Sequence, residues 1–136
     1  MDQERKKRSR ATCVVEIPSP DGPSVLVARE KGAKSRVLPG GWIRKDESAV
    51  DAAKRALLKE TGADALTAVH LFDYESARTR HKVVLLVPAG GELQAQEGIE
   101  ELTKLAHSGG NLREHELWPS LHRTMQAILE RYLAAK

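Results

Sequence analysis

GWIRKDESAVDAAKRALLKETGA, residues 41–63, carries the boundaries of its own helix. Ser48 is a strong N-cap, its hydroxyl able to accept from the Asp51 N–H, and Asp51 can reach back as in a capping box. Ala49, Ala52, Ala53, Ala56 and Leu57 recur at helical spacing and form one apolar stripe. Gly62 stands where a left-handed C-cap residue belongs, so the helix is predicted from residue 48 to about residue 61. Just upstream, Gly40 and Gly41 permit a tight turn.

Working outward, TCVVEI at 12–17 and SVLVAR at 24–29 are rich in β-branched residues and predict two strands. PSPDGP between them is a turn by composition, which makes the opening a hairpin. Residues 30–36 form a polar loop, and residues 37–42 form a short extended piece. Beyond the helix, residues 65–74 and 82–88 predict two more strands, the second (KVVLLVP) apolar enough to be central. Residues 89–91 read as a turn and residues 92–101 as a carboxylate-rich loop. Residues 118–135 predict a closing amphipathic helix.

The chain has 136 residues, enough for one domain with a single core. Its 40% hydrophobic and 30% charged residues are ordinary for a soluble protein. No apolar run approaches the ~18 residues needed to span a bilayer, so no membrane partner is expected. There is no apolar leader, and the single Cys13 cannot close an intramolecular disulfide, so a cytoplasmic setting is expected. Cys13 lies within a strand and is read as core. The net charge of +3 is concentrated in Arg5, Lys6, Lys7, Arg8 and Arg10. Residues 1–10 are read as a basic flexible arm preceding a domain at 11–136. A nucleic-acid contact through this arm is the minority reading, because no aromatic residues interleave the charges.

The spacing of residues 41–63 is similar to the Nudix signature, Gly-x5-Glu-x7-Arg-Glu-U-x-Glu-Glu-x-Gly-U, with U a bulky aliphatic. Gly41, Glu47, Arg55, Leu57, Glu60 and Gly62 match without a gap. Ala56 and Lys59 stand where the first two helix glutamates belong. The resemblance implies an α/β/α sandwich around a mixed sheet. It also implies a metal-dependent hydrolase of nucleoside-diphosphate-linked or related polyphosphate substrates, with Mg2+ or Mn2+ as cofactor if active and none otherwise. Oxygen ligands suit these hard ions, and positions four apart share a helix face. Of the implied metal ligands only Glu60 remains. Ala56 offers no oxygen, and a unit-charge pair about 4 Å apart is worth roughly 4 kcal/mol at an effective dielectric of 20, doubled for a divalent ion facing Lys59. Lys59 can alternatively pair with phosphate as a one-charge substitute for the metal. Glu47, Arg55 and Gly62 are structural box residues by the same resemblance, and the Glu47–Arg55 pair is expected to brace the helix.

A later acidic residue often adds a ligand or base in this family, and Glu97 or Glu100 is assigned that role together with Glu60. The alternative is a solvated acidic loop. Arg36, Arg44, Arg80 and His81 could clamp phosphates electrostatically beside Gly40 and Gly41, or form an exposed basic face. The function expected is a divergent Nudix hydrolase with weak or lost pyrophosphatase activity. The alternative is a catalytically silent Nudix domain that binds a nucleotide or phosphorylated metabolite, as a sensor or interaction module. The expected partner is a small phosphorylated ligand or nucleotide, with a homodimer left open.

Overall fold

The computed structural model describes residues 7–18, 20, 22–90, 92–106 and 112–135. Residues 1–6 of the expected arm, Ser19 and Asp21 of the PSPDGP turn, and Gly91 of the turn expected at residues 89–91 lie outside the described residues. The order is β1 (Arg8–Ile17), β2 (Ser24–Glu30), β3 (Gly40–Trp42), α1 (Ala49–Thr61), β4 (Ala65–Glu75), β5 (Thr79–Pro88), β6 (Ile99–Ala106) and α2 (Arg123–Ala134). The strands form one six-stranded sheet ordered β4-β5-β1-β2-β6, with β3 also paired to β1. β1 and β5 run parallel while the other pairs are antiparallel, so the sheet is mixed.

The pleat of β1 divides the core. Ala11, Cys13 and Val15 pack with Ala52, Ala53, Ala56 and Leu57 of α1 on one face. Val14 packs on the other, with Val25, Val27 and Val83 of the sheet and Met125, Ile128 and Leu129 of α2. Alternate residues of a strand point to opposite faces, so a strand buried on both sides shows this near-continuous apolar run. The result is the helix–sheet–helix sandwich expected. Cys13 is fully buried, and burial pushes its thiol up to about 12, so it acts as a small core hydrophobe. Ser48 Oγ accepts from the Asp51 N–H at 3.0 Å, and Gly62 ends α1 at φ 77°, a conformation that favours glycine.

Four boundaries differ from the sequence reading. β1 begins at Arg8, so the last three residues assigned to the arm (8–10) belong to the sheet, paired in parallel with residues 79–81 of β5. β5 itself begins at Thr79 rather than Lys82, which takes Arg80 and His81 into the strand. The acidic loop ends early, because β6 starts at Ile99 and carries Glu100 and Glu101 opposite β2. The closing helix starts at Arg123; Trp118–Ser120 is a separate 3-10 turn, and His122 Nδ1 caps α2 by accepting from the Thr124 N–H at 3.2 Å.

Candidate functional site

Strand register assembles the site. β1 pairs Arg10 with Trp42 of β3 on one side and with His81 of β5 on the other. Arg10 is thereby half-buried beside the Gly-rich turn. Its guanidinium donates from Nη1 to Thr12 Oγ1 at 2.9 Å and from Nη2 to the Leu38 carbonyl at 3.0 Å. Thr12 Oγ1 lies 2.8 Å from His81 Nδ1. Arg10 can only donate, so the Thr12 hydroxyl accepts from it, and the direction of the Thr12–His81 bond follows the tautomer of the imidazole. His81 is 5% exposed, and burial, then the charges of Arg10 and His122, pull it down to about 4. The imidazole is neutral at pH 7.

Gly40 is where backbone and guanidinium meet. An alanine methyl there would overlap the Ala11 carbonyl oxygen and the Arg10 guanidinium together. Gly40→Ala is therefore expected to lower folding stability by about 1–3 kcal/mol, read from urea denaturation. An unchanged midpoint would mean that the β1–β3 backbone and Arg10 both give way without cost.

Glu60 is the surviving helix carboxylate, and it is buried. The Gly40 N–H donates to its Oε2 at 3.4 Å. Burial raises its carboxyl to about 7, opposed by that hydrogen bond and by Arg10 and Lys59, and assisted by the charge of Glu30. Glu30, at the end of β2 beside a register shift, is thus the carboxylate whose charge reaches Glu60. Neither Glu97 nor Glu100 has that place. Glu97 is exposed in the turn before β6, and Glu100 Oε1 accepts from Arg29 Nη1 at 3.0 Å.

Above α1 a cavity of about 410 Å3 is lined by Arg8, Trp42, Arg44, Arg55, Ala56 and Lys59, with the Gly41 backbone. The Arg8 guanidinium sits 3.9 Å over the Trp42 ring. Arg55 is bound bidentately to Glu47, with Nε and Nη2 at 3.0 and 2.9 Å, and its Nη2 also donates to the Trp42 carbonyl at 2.8 Å. That pair, with the Arg44 N–H, holds Glu47 down at about 2 and ties the loop before the helix to α1. Trp42 also borders a second cavity of about 380 Å3, lined by Arg10, Glu30, Thr79, His81 and His122.

The remaining basic residues are dispersed. Arg36 Nη2 pairs with Glu101 at 2.7 Å and Arg80 Nε with Glu75 at 3.3 Å. Only Arg44 and Gly41, of the residues assigned to a phosphate clamp, line the cavity above α1; His81 faces the neighbouring one. Sequence reasoning missed Arg8, Arg10, Trp42 and Glu30. The period-two spacing of Arg8 and Arg10 directly before the TCVVEI run was the one available signal for the two arginines.

A divalent metal does not fit the residues present. Among the described residues no group of three or more His, Cys, Asp or Glu is placed to hold one. The cavity wall presents a methyl at Ala56 and an ammonium at Lys59, while Glu60 turns away toward Gly40.

The NUDIX domain model matches residues 7–128. The chain belongs to the Nudix family. Solved Nudix structures share its fold. A nudix hydrolase family member from Chromobacterium violaceum is 27% identical with a TM-score of 0.75, over 97% of this chain and 80% of that one. A MutT NUDIX hydrolase from Burkholderia pseudomallei is 23% identical with a TM-score of 0.71, over 93% and 98% of the two chains. The NUDIX domain of Shewanella oneidensis NrtR, solved with ADP ribose, is 15% identical with a TM-score of 0.74, over 98% and 91%. No curated protein matches the chain. Within this Nudix fold the match reaches back to residue 7 and so takes in the start of β1, where Arg8 and Arg10 lie.

Proposed function

We propose that this chain is a divergent Nudix protein that takes a nucleoside-diphosphate-linked or related polyphosphate ligand, with weak or lost metal-dependent pyrophosphatase activity. The observation that carries this reading is the wall above α1, where Ala56 and Lys59 replace carboxylates and Trp42 stands 42% exposed beside Arg8 and Arg44. Cations recognise phosphate oxygens, and an exposed indole offers a face for a planar group. The second reading, a silent binding domain, is supported by the same wall, and the NrtR domain is a fold relative solved with ADP ribose. In this reading any residual hydrolysis draws its Mg2+ or Mn2+ in on the phosphates of the substrate, because the described residues offer the ion no ligand set of their own. The partner is a small phosphorylated molecule, and the compartment is the cytoplasm.

The test is a panel of nucleoside diphosphates, nucleoside-diphosphate sugars and dinucleoside polyphosphates, each scored for thermal shift and for phosphate-bond cleavage in Mg2+ and in Mn2+. At least one class is expected to raise Tm, with slow turnover or none. A panel that shifts nothing and is not cleaved defeats the reading.

A further inference from the structure

We infer that the cavity above α1 binds the diphosphate of its ligand as the metal-free polyanion, with Arg8, Arg44 and Lys59 supplying the positive charge from the protein itself. This rests on the ligand class proposed above and adds the ionic form in which that ligand is bound. It can fail on its own while that reading stands.

The charge balance of the wall carries the argument. Four cationic side chains line the cavity, and among the described residues no carboxylate does. Arg55 is neutralised by its bidentate bond to Glu47, so it braces the loop and adds little field. The other three form no ion pair among the described residues. Arg8 is kept on the wall by the Trp42 ring 3.9 Å from its guanidinium carbon, and Lys59 is exposed at the second lost carboxylate position. A cation arriving alone meets three like charges and one methyl. A diphosphate arriving alone meets three donors, and Glu47, the carboxylate beside Arg44, is already bound to Arg55. Magnesium chelates the same phosphate oxygens that these donors need, and it lowers the net charge of the ligand. Added Mg2+ therefore competes with the protein for the ligand.

The experiment titrates inorganic pyrophosphate and ADP into the full chain, following tryptophan emission and heat, first in EDTA and then in excess Mg2+. Saturable binding is expected in EDTA, weakened by Mg2+ and by added salt. Lys59→Ala, an exposed position that leaves the core intact, should weaken it about tenfold, the worth of one charge-assisted contact. Lys59→Glu should weaken it further. Binding that requires Mg2+ overturns the inference and leaves the ligand class standing. Binding in EDTA that Lys59→Ala does not move overturns the assignment of charge to this wall. Absence of binding to either probe in both buffers removes the inference, and the broader nucleotide panel then decides whether the ligand class falls with it.

Discussion

The double substitution Ala56→Glu, Lys59→Glu is expected to raise metal-dependent cleavage of nucleoside-diphosphate-linked substrates by at least about a hundredfold. That is the rate equivalent of the several kcal/mol of charge stabilisation a divalent ion supplies to a phosphoryl centre. The backbone needed for the gain is already in place. α1 is capped at both ends, the Glu47–Arg55 pair fixes the loop before it, and Gly41 lies over Ala56, where an added methyl would meet the Ala56 methyl at 3.6 Å. The substitution exchanges one methyl and one ammonium for two carboxylates beside Glu60. It also changes the local charge by three units, converting a wall that repels Mg2+ into one that attracts it. The measurement is product release in Mg2+ against EDTA, with Mg2+ affinity by calorimetry on the same preparation. Lys59→Glu alone should gain metal affinity with little rate, which guards against poor folding of the Ala56→Glu change at a position 2% exposed. A double variant that binds Mg2+ tightly and cleaves no faster would show that the helix carboxylates are not what limits cleavage.

The helix was legible in sequence because its information is local: a cap, a stripe and a C-terminal glycine within one short stretch. The central strands were legible for the same reason, since burial on both faces writes an apolar run. What was hidden is set by pairing between distant segments. Arg8 and Arg10 look like part of a solvated charge run, yet parallel pairing with β5 and antiparallel pairing with β3 draw them into the sheet. β6 was missed because only Leu105 along it is buried, so a polar edge strand looks like a loop. His81 looked like one of several adjacent cations. Extending β5 back to Thr79 instead aims it inward with Val83, where it meets Thr12. Glu30 shows no pattern at all in sequence; its relation to Glu60 exists only after β2 is folded beside β1. The signature itself located the cavity and supplied Arg44 and Lys59 to its wall, while Arg8 came from outside the signature.

Two buried groups should give the folded chain opposite responses to acid, hidden in the parent and exposed by single substitutions. Glu60 moves from its ordinary 4.5 to about 7 on folding, first through burial. Between those values the folded state holds a proton that the unfolded chain releases, so its contribution to stability falls as pH rises and is fully lost above about 7. His81 moves from 6.5 down to about 4, again first through burial. Between those values the unfolded chain takes up a proton that the folded state refuses, so stability falls as pH drops, with the full loss below about 4. At about 1.4 kcal/mol per pH unit each group spans roughly 3 kcal/mol, and the slopes oppose one another across the shared window from 4.5 to 6.5. The parent should be nearly flat there. Glu60→Gln removes the first slope, so the variant should lose roughly 2–3 kcal/mol between pH 6.5 and 4.5. His81→Gln removes the second and should gain a similar amount over the same interval. Arg10 stays charged throughout this range, and the ion-paired carboxylates Glu47 and Glu75 are common to all three proteins, so they cancel in the comparison. Urea denaturation at half-unit pH steps gives the three profiles. Any loss of packing in a variant shifts its whole curve without tilting it, so the tilt alone reports the proton. Parallel curves for all three proteins would mean that neither group keeps its buried place in solution, and the Arg10–Thr12–His81 arrangement beside Glu60 would have to be redrawn.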